Sequence, residues 1–352
     1  MTVLERMGIR AEIEERAARA GAMTYVKESG RLAATTSTEA FSGELEILRG
    51  DLVDILSERT AGTTEYIFDD SIAELSQDDS GVDVVFAGGV TRRFDLVIGA
   101  DGLHSNVRRL AFGPESSYVR DLGYYASICT VDNHLGLDHS GQILNVPGKT
   151  VGIYSARNNT EAKALFYFAS DPLAYDRRDA DAQKAIVAER FAGIGWEVPT
   201  LLDGLRTAPD FYFDSVSQVE LDSYSRGRVA LVGDAGYCAS PLSGMGTSLA
   251  VVGAYVLAGE LHAAGGDHVK AFAAYDIRMK GFVVACQKQA VDGAKWFVPA
   301  SKWFIKVRDL TFRLMPYLPW RNMIRDMSLK VGNAIELRTY EDRRPRRAVP
   351  LP

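Results

Sequence analysis

An acidic turn and a glycine-rich loop follow one another in the segment from Gly227 to Ser248, and their residue types could bind a cofactor. Val229 to Val232 form a short apolar run, as expected of a parallel strand buried on both faces. Asp234 follows this run with a carboxylate, and the apolar stretch from Leu249 to Leu261 then predicts a helix. The loop before this helix contains Pro241, Gly244, Met245 and Gly246.

The chemistry that this segment supports is the binding of a flavin. A helix that begins in glycines offers unpaired backbone N–H groups to an electron-rich ligand edge. A carboxylate beside it can accept hydrogen bonds from hydroxyl groups. A flavin has a polyol chain, which can donate to the carboxylate, and a ring that becomes anionic on reduction, which can accept from the N–H groups. Asp234 could instead only cap the following loop, so the sequence leaves that alternative open.

A second strand with an acidic turn lies earlier in the chain, at Asp95 to Gly102. Asp101 follows its apolar residues, and Ser105 is placed to cap a helix that carries Arg108 and Arg109. Local capping by Asp101 would explain the same pattern. Either segment alone is a modest signal, because both short motifs occur in many α/β proteins. Their order, with a strand-rich stretch between them, is much more specific.

These two segments resemble the motifs of the class A flavin-dependent aromatic monooxygenases, the family of para-hydroxybenzoate hydroxylase and the tetracycline-inactivating monooxygenases. Asp101 and the glycine after it match the family's Asp-Gly motif, which contacts the flavin and the nicotinamide nucleotide. Asp234 matches the aspartate that binds the ribityl chain. Pro241 and the run from Gly244 to Gly246 match the loop that lies along the isoalloxazine. Arg49, just before a predicted helix, matches an arginine that reaches FAD.

The sequence departs from that family at two places. Tyr237 stands where the family often has a histidine, so the resemblance assigns no role to it. The likeness runs from about Leu4 to about Leu261, yet it includes no Gly-x-Gly-x-x-Gly run to hold the adenosine pyrophosphate. We therefore expect that roughly 40 to 50 residues, a βαβ unit and its connection, are absent before Met1. A late-assigned or cut start and a truncated relative are the two explanations.

The resemblance implies a complete reaction. NADH or NADPH would reduce FAD, and the reduced flavin would take up O2 to form a C4a-hydroperoxide that hydroxylates an aromatic or polyketide-like small molecule. The cofactor supplies this chemistry, so no side chain is assigned as catalytic. The N–H groups from Gly244 to Thr247 are suited to stabilise negative charge at the N1/O2 edge of the ring. A surface salt bridge would be the plainer role for Arg49.

Three other functions stay open. A flavin-dependent halogenase shares this architecture, but its Trp-x-Trp-x-Ile-Pro signature is absent, and Gly195 to Pro199 holds only one tryptophan. A flavin reductase or dehydrogenase would act without oxygen insertion. A truncated relative without turnover would bind an aromatic ligand or a partner. Yellow colour and substrate-stimulated oxidation of NAD(P)H distinguish these functions.

Four phenylalanines are candidates for contact with an aromatic substrate. They alternate with tyrosines in two predicted strands, so one face of each strand could line a cavity. Core packing explains the same alternation. The residues are Phe166, Phe168, Phe211 and Phe213.

Composition limits the partners. The 352 residues exceed one typical core, and the formal net charge of −6 argues against general nucleic-acid or anionic-membrane binding. Cys129, Cys238 and Cys286 show no paired spacing, which indicates reduced thiols in a cytoplasmic protein. The histidines lack metal-ligand spacing, so we expect no metal site. We also see no signal peptide and no apolar run long enough for a bilayer.

The order of elements predicts an α/β fold in which a Rossmann-like FAD-binding domain carries an inserted β-rich, α+β substrate domain and C-terminal helices. The predicted boundaries are 1–116 and 222–290 for the two parts of the FAD-binding domain, 117–221 for the substrate domain, and 291–352 for the C-terminal helices and tail.

Periodicity and turn residues assign the individual elements. The predicted helices are Leu4–Ala20, Asp51–Arg59, Ala180–Phe191, Leu249–Leu261, Lys270–Val291 and Trp303–Leu314. The predicted strands are 23–26, 32–34, 44–48, 65–68, 72–75, 82–86, 91–94, 124–131, 151–156, 164–169 and 210–221.

Overall fold

The computed structural model describes residues 2–17, 21–36, 47–157, 159–317 and 329–340. Within these ranges the strands are β1 Met23–Val26, β2 Leu32–Thr36, β3 Ile72–Gln77, β4 Val82–Phe86, β5 Thr91–Phe94, β6 Val97–Gly99, β7 Val119–Val131, β8 Gly141–Val146, β9 Lys149–Ala156, β10 Glu161–Ala169, β11 Phe211–Val219, β12 Ser225–Arg226 and β13 Val229–Leu231. The helices are α1 Thr2–Arg6, α2 Arg10–Glu15, α3 Arg49–Thr60, α4 Asn106–Ala111, α5 Ala180–Phe191, α6 Val198–Thr207, α7 Asp234–Tyr237, α8 Gly246–Ala263, α9 His268–Phe297 and α10 Lys302–Leu314.

A seven-stranded sheet forms the larger layer, in the order β11-β7-β10-β9-β8-β1-β2. Its neighbouring strands are antiparallel except for β1 and β8, which are parallel. Helices α5 and α6 cover one face, where Val187 and Leu201 share a core with aromatic residues of the sheet. The other face packs against Leu242 and the end of α9 at Phe297 and Val298. The sheet therefore separates a closed core from the region of the predicted glycine-rich loop.

The two predicted acidic turns meet because their strands are neighbours in a smaller sheet, β12-β13-β6. β13 runs parallel to β6, with Leu231 opposite Gly99, and all of β13 is buried as the sequence predicts. The amide of Val232 then donates to the carbonyl of Gly99 at 2.9 Å. Since parallel strands end at a common edge, Asp101 and Asp234 emerge side by side. The third sheet, β3-β4-β5, packs against this one through a shared apolar core.

Tyr237 anchors helices α8 and α9, which gives a structural role to the residue that departs from the family pattern. Its ring is fully buried and packs edge to face on Tyr224. The hydroxyl of Tyr275 in α9 lies 2.9 Å from the Tyr237 hydroxyl and 2.9 Å from the carbonyl of Leu231. On the other side is Gly253 of α8, where a β-carbon would overlap the Tyr237 hydroxyl and lie 2.9 Å from its Cζ.

Gly253→Ala is therefore expected to lower the free energy of unfolding by about 1–3 kcal/mol through overpacking, measured by urea denaturation. Gly281→Ala in α9 is the matched control, because a β-carbon there meets nothing within 4 Å. Helix propensity predicts a gain of up to about 1 kcal/mol for that control. Tyr237→Phe removes the overlapping hydroxyl, so the penalty of Gly253→Ala should shrink in that background. An unchanged penalty would contradict the contact.

Most predicted elements are confirmed, and the exceptions have physical reasons. Within the described part of the helix predicted from Leu4 to Ala20, the structure has two short helices, α1 and α2, because the chain turns at Gly8 with a φ of 70°; residues 18–20 lie outside the described ranges. No strand forms over residues 65–68; Tyr66 and Phe68 stack on each other, and Phe68 is 78% exposed. Periodicity predicts neither β8 nor α6. The predicted strand at 44–48 lies mostly outside the described residues.

The hairpin of β1 and β2 is confirmed, but its place in the fold differs from the predicted division of the chain. β1 pairs with β8, placing Met23 opposite Gly141, so the hairpin extends the large sheet. Residues 23–36 therefore join a sheet whose other strands all lie within 117–221. Of the helices in the described ranges, none has the length and apolar character needed to cross a membrane.

Candidate functional site

A buried arginine links the two acidic turns. Arg108 has no exposed surface (0%), and its Nη1 donates to the carbonyl of Ala235 at 2.8 Å. Its Nη2 donates to the carbonyl of Leu103 at 2.6 Å. Leu103 follows the first turn and Ala235 follows the second. Burial lowers the pKa of Arg108, while the charges of Glu115 and Asp101 oppose that shift. One guanidinium thus sets the spacing of both turns through backbone oxygens.

Asp101 is engaged with the start of α4. One carboxylate oxygen accepts from the amide of Val107 at 2.9 Å, and the other accepts from the hydroxyl of Ser105. Ser105 is the N-cap, as the sequence predicts, and accepts from the amide of Arg108 at 2.9 Å. Local capping therefore describes the geometry seen here. Contact between Asp101 and a cofactor stays a prediction. Asp101 is exposed at the edge where β6 and β13 end, so a cofactor could reach it.

Asp234 is half-buried and is the first residue of the short helix α7. Gly233 makes the turn before it with a φ of 65°, a conformation that favours glycine. Burial, with the charge of Asp234 added, raises the pKa of Cys238 to about 12, so this thiol stays protonated beside the carboxylate. In contrast to Asp101, no amide in the described part of the chain donates to the carboxylate of Asp234. The thiol of Cys238 is the side-chain partner of this carboxylate, which keeps further lone pairs that can accept from ligand hydroxyls.

The glycine loop, defined here as Cys238 to Met245, connects α7 to α8. Ser240 has a φ of 76° and Gly244 has a left-handed φ of 63°, with an exposed Pro241 between them. Ser240 also has a ψ of 155°, in a region that is almost exclusive to glycine. A β-carbon on Gly244 would meet no atom within 4 Å, so the loop faces open space at this point.

Helix α8 begins with unpaired amides at the end of this loop. Met245 is its N-cap and supplies no side-chain acceptor, so its contribution is through the backbone. Among the described residues, none accepts from the amides of Gly246, Thr247 or Ser248. Gly246 also has no atom within 4 Å of its ideal β-carbon position. A flavin fits these residues, because a flat ring could approach the glycines and receive three N–H donors at the positive end of an 18-residue helix.

Arg49 reaches the same region from a different part of the chain. It is the exposed first residue of α3, as predicted for an arginine at a helix start. Burial raises the pKa of Tyr212, and the charge of Asp214 adds to this, whereas Arg49 opposes it. Tyr212 is also a neighbour of Cys238, the residue beside Asp234. Arg49 is therefore near enough to act electrostatically on Tyr212, and direct cofactor contact by Arg49 stays a prediction.

The four phenylalanines predicted as substrate contacts face the closed core. Phe166 and Phe168 have no exposed surface, and each packs edge to face on Phe191 of α5. Phe213 is buried in the same core, and Phe211 packs against it. The alternation of the sequence thus reflects core packing, and the prediction selected the strand face that points away from the glycine loop.

The opposite face of the same strands lies toward the glycine loop. Tyr167 is buried there, and Tyr212 is 45% exposed. Leu242 of the loop packs against this face with Tyr124 and Ile128. The sequence signal that could have identified this face is the position of the tyrosines, because Tyr167 and Tyr212 alternate with the phenylalanines of β10 and β11 and therefore point to the opposite face. An apolar, tyrosine-bearing surface at this place is suited to cover a flat aromatic molecule lying on the loop.

His104, which follows the first acidic turn, contacts two carboxylates, one of which is Asp214 of β11. Its Nε2 lies 2.8 Å from Oδ2 of Asp214, and its Nδ1 lies 3.1 Å from Oε2 of Glu115. Arg177 holds the other oxygen of Glu115 at 2.9 Å, and Tyr175 lies 3.4 Å from Asp214. Because both ring nitrogens face carboxylates, both carry protons in this arrangement. Burial lowers the pKa of His104, but the two carboxylates outweigh it and the net shift is upward.

This arrangement predicts a pH-dependent contribution to stability. A raised pKa in the folded state means that the contribution of His104 is full below its unfolded pKa, about 6.5, and is lost as the pH rises through the folded value. His104→Gln should therefore lower the free energy of unfolding by about 1 kcal/mol near pH 6, and by less near pH 9. Thermal unfolding across this range measures it, with the exposed His262→Gln as control. If the stability lost in His104→Gln instead grew with pH, the contacts of a protonated His104 with the two carboxylates would be refuted.

Comparison with known proteins agrees with this geometry. A protein-family model described as an FAD binding domain matches residues 1–270. An uncharacterized protein of Mycobacterium tuberculosis (strain ATCC 25618 / H37Rv) is 50% identical over 289 residues, which cover 80% of this chain and 78% of that protein. A protein of Legionella longbeachae serogroup 1 (strain NSW150), named flavin-dependent monooxygenase, is 39% identical over 346 residues, covering 96% of this chain and 86% of the relative.

A solved structure resembles the whole described fold. The crystal structure of tetracycline destructase Tet(55) superposes with a TM-score of 0.81 at 40% sequence identity, and the match covers 96% of this chain and 86% of that one. The similarity therefore extends over almost the entire chain.

Proposed function

The chain belongs to the FAD-dependent monooxygenases, and we propose that it hydroxylates an aromatic or polyketide-like small molecule with NAD(P)H and O2 as co-substrates. The observation that carries the substrate class is the tyrosine-bearing face of the large sheet, which lies against Leu242 of the glycine loop. A flat, electron-rich molecule would be enclosed between this face and the flavin. The name of the structural relative Tet(55) supports including polycyclic antibiotics in that class.

The described residues divide the work of holding the cofactor. Asp234 would accept hydrogen bonds from the ribityl hydroxyls, and Arg49 would contact the cofactor from the start of α3. Pro241 and the glycines at 244 and 246 would lie along the ring, and the amides at the start of α8 would stabilise negative charge at its pyrimidine edge. Asp101 sits at the same edge of the small sheet. When bound, FAD supplies the transfer of electrons from NAD(P)H to O2 and the insertion of one oxygen atom.

The domain division that we propose remains 1–116 with 222–290 for FAD binding, 117–221 for substrate and 291–352 for the C-terminal helices. The separate sheets support it, since β6, β12 and β13 form one and β7 to β11 most of another. The hairpin at 23–36 is the exception, because it completes the substrate-side sheet. Keeping water away from the flavin would favour oxygen transfer over loss of peroxide.

Oxidation of NADH and NADPH by the FAD-loaded protein tests the proposal. A panel of simple phenols, aromatic polyketides and tetracyclines should contain a compound that accelerates the oxidation and gains one oxygen atom by mass spectrometry. Oxidation that no compound accelerates, with all electrons recovered as hydrogen peroxide, would favour a flavin oxidoreductase without oxygen insertion.

A further inference from the structure

Glutamine side chains hold the backbone of the glycine loop from its buried side. Gln218 on β11 is 2% exposed, and its Nε2 donates to the carbonyl of Ala239 at 3.2 Å. Gln287 on α9 donates to the carbonyl of Cys238 at 3.4 Å. The two glutamines are also joined, because Nε2 of Gln218 donates to the carbonyl of Gln287 at 2.8 Å. The start of the loop is thus fixed to both β11 and α9.

Gln289 acts in the same way at the end of the loop. Its Nε2 donates to the carbonyl of Ser243 at 2.9 Å. A carbonyl oxygen cannot donate, so this contact fixes the orientation of the amide. The Oε1 of Gln289 is buried and finds no hydrogen-bond partner among the described residues. An unsatisfied buried acceptor is unfavourable, so packing alone does not explain an amide at this position. The N–H donor is the part of the side chain that the loop uses.

The remaining polar contacts of the loop complete this pattern. The hydroxyl of Ser243 donates to the carbonyl of Ser240 at 2.8 Å, and the amide of Gly244 donates to the carbonyl of Pro241 at 3.1 Å. The carbonyl oxygens engaged in this way are those of Cys238, Ala239, Ser240, Pro241 and Ser243. The open side, where the glycines face space, is left with the free amides at the start of α8.

We propose that Gln289 is a positioning residue for the flavin, with Gln218 and Gln287 in the same role, an inference that rests on the proposed function. By holding carbonyl oxygens toward α9 and β11, these side chains keep partial negative charges away from the ligand. The amides of α8 then face the ring without opposing dipoles. Because the reduced ring carries more negative charge, the arrangement favours reduced over oxidised FAD and raises the reduction potential.

Gln289→Met tests this role, with Gln183→Met as the matched control. Gln183 in α5 is 5% exposed and donates to the carbonyl of Asp176 at 2.8 Å, so it is a comparable buried glutamine outside the glycine loop. Both variants should lose similar thermal stability. Only Gln289→Met should weaken FAD binding, roughly tenfold. If the variant's affinity for reduced FAD falls by about ten times more than its affinity for oxidised FAD, the two-electron reduction potential falls by about 30 mV.

Two more measurements separate positioning from general destabilisation. Hydrogen exchange of the protein without FAD should become faster across 238–248 in Gln289→Met and not in Gln183→Met. Gln289→Glu keeps the shape of the side chain but replaces the donor by a carboxylate, so it should lower the potential further than Gln289→Met. Wild-type protein that binds FAD, with potential and affinity equal in all variants, would overturn the inference. Wild-type protein that binds no FAD would instead overturn the proposed function, and this inference with it.

Discussion

Asp234→Ala is expected to weaken FAD binding by roughly 10- to 100-fold while leaving the fold of the protein without FAD intact. The carboxylate of Asp234 is half-buried, and no amide in the described residues donates to it, so its oxygens serve a ligand more than the backbone. Hydrogen bonds from the ribityl hydroxyls to a charged acceptor account for the size of the effect. Quenching of FAD fluorescence on titration measures the dissociation constant.

Asp101→Ala is the informative comparison for that variant. Its carboxylate accepts from Ser105 and Val107 at the start of α4, so its loss should lower the free energy of unfolding by about 1 kcal/mol. The exposed Asp222→Ala serves as the neutral control. If Asp234→Ala lost stability and retained FAD affinity, the carboxylate would be a local cap and the assignment of the ribityl contact would be wrong.

Gly246→Val is expected to have the second large effect, a loss of FAD affinity on the order of 100-fold or more. A side chain at the first residue of α8 projects into open space in the protein alone, where no atom lies within 4 Å of its β-carbon. It should therefore leave the unfolding free energy unchanged or slightly raised. With FAD present it separates the ring from the free amides of the helix start, so the charge-assisted hydrogen bonds are lost.

Gly281→Val gives the matched control for this steric test. Gly281 is also helical, and a β-carbon there also meets nothing within 4 Å. The two variants should therefore have similar stability, and only Gly246→Val should lose FAD. Equal FAD affinity in both would mean that the ring does not lie against the start of α8.

The parts of the site that the sequence predicts are local in the chain. A buried strand, a carboxylate and a glycine-fed helix occur within the segment that ends at Ser248, so their order alone reveals the geometry. Helix capping by Ser105 is equally local and is confirmed. The parallel pairing of β6 with β13, which brings the two acidic turns to one edge, joins segments far apart in the chain and is not among the predictions.

The parts that the sequence does not reveal depend on contacts between distant residues. Nothing in the sequence marks Arg108 as buried, yet it has no exposed surface and donates to the carbonyl of Ala235, 127 positions along the chain. The glutamines beneath the glycine loop give no sequence pattern, since Gln218 comes from β11 and Gln287 and Gln289 come from α9, more than 40 residues after the loop. Which face of a strand is buried is also ambiguous in the sequence, because contacts with distant helices decide it. Phe213 and Tyr212 alternate regularly, and only the position of α5 and α6 decides which face is closed.

Titration of the purified protein with FAD tests the central claim most directly. The geometry of the glycine loop predicts saturable binding of one FAD per chain, which is lost in the combined Asp234→Ala and Gly246→Val variant and retained in Gly281→Val. Undiminished FAD binding by the combined variant would contradict the assignment of this loop as the flavin site.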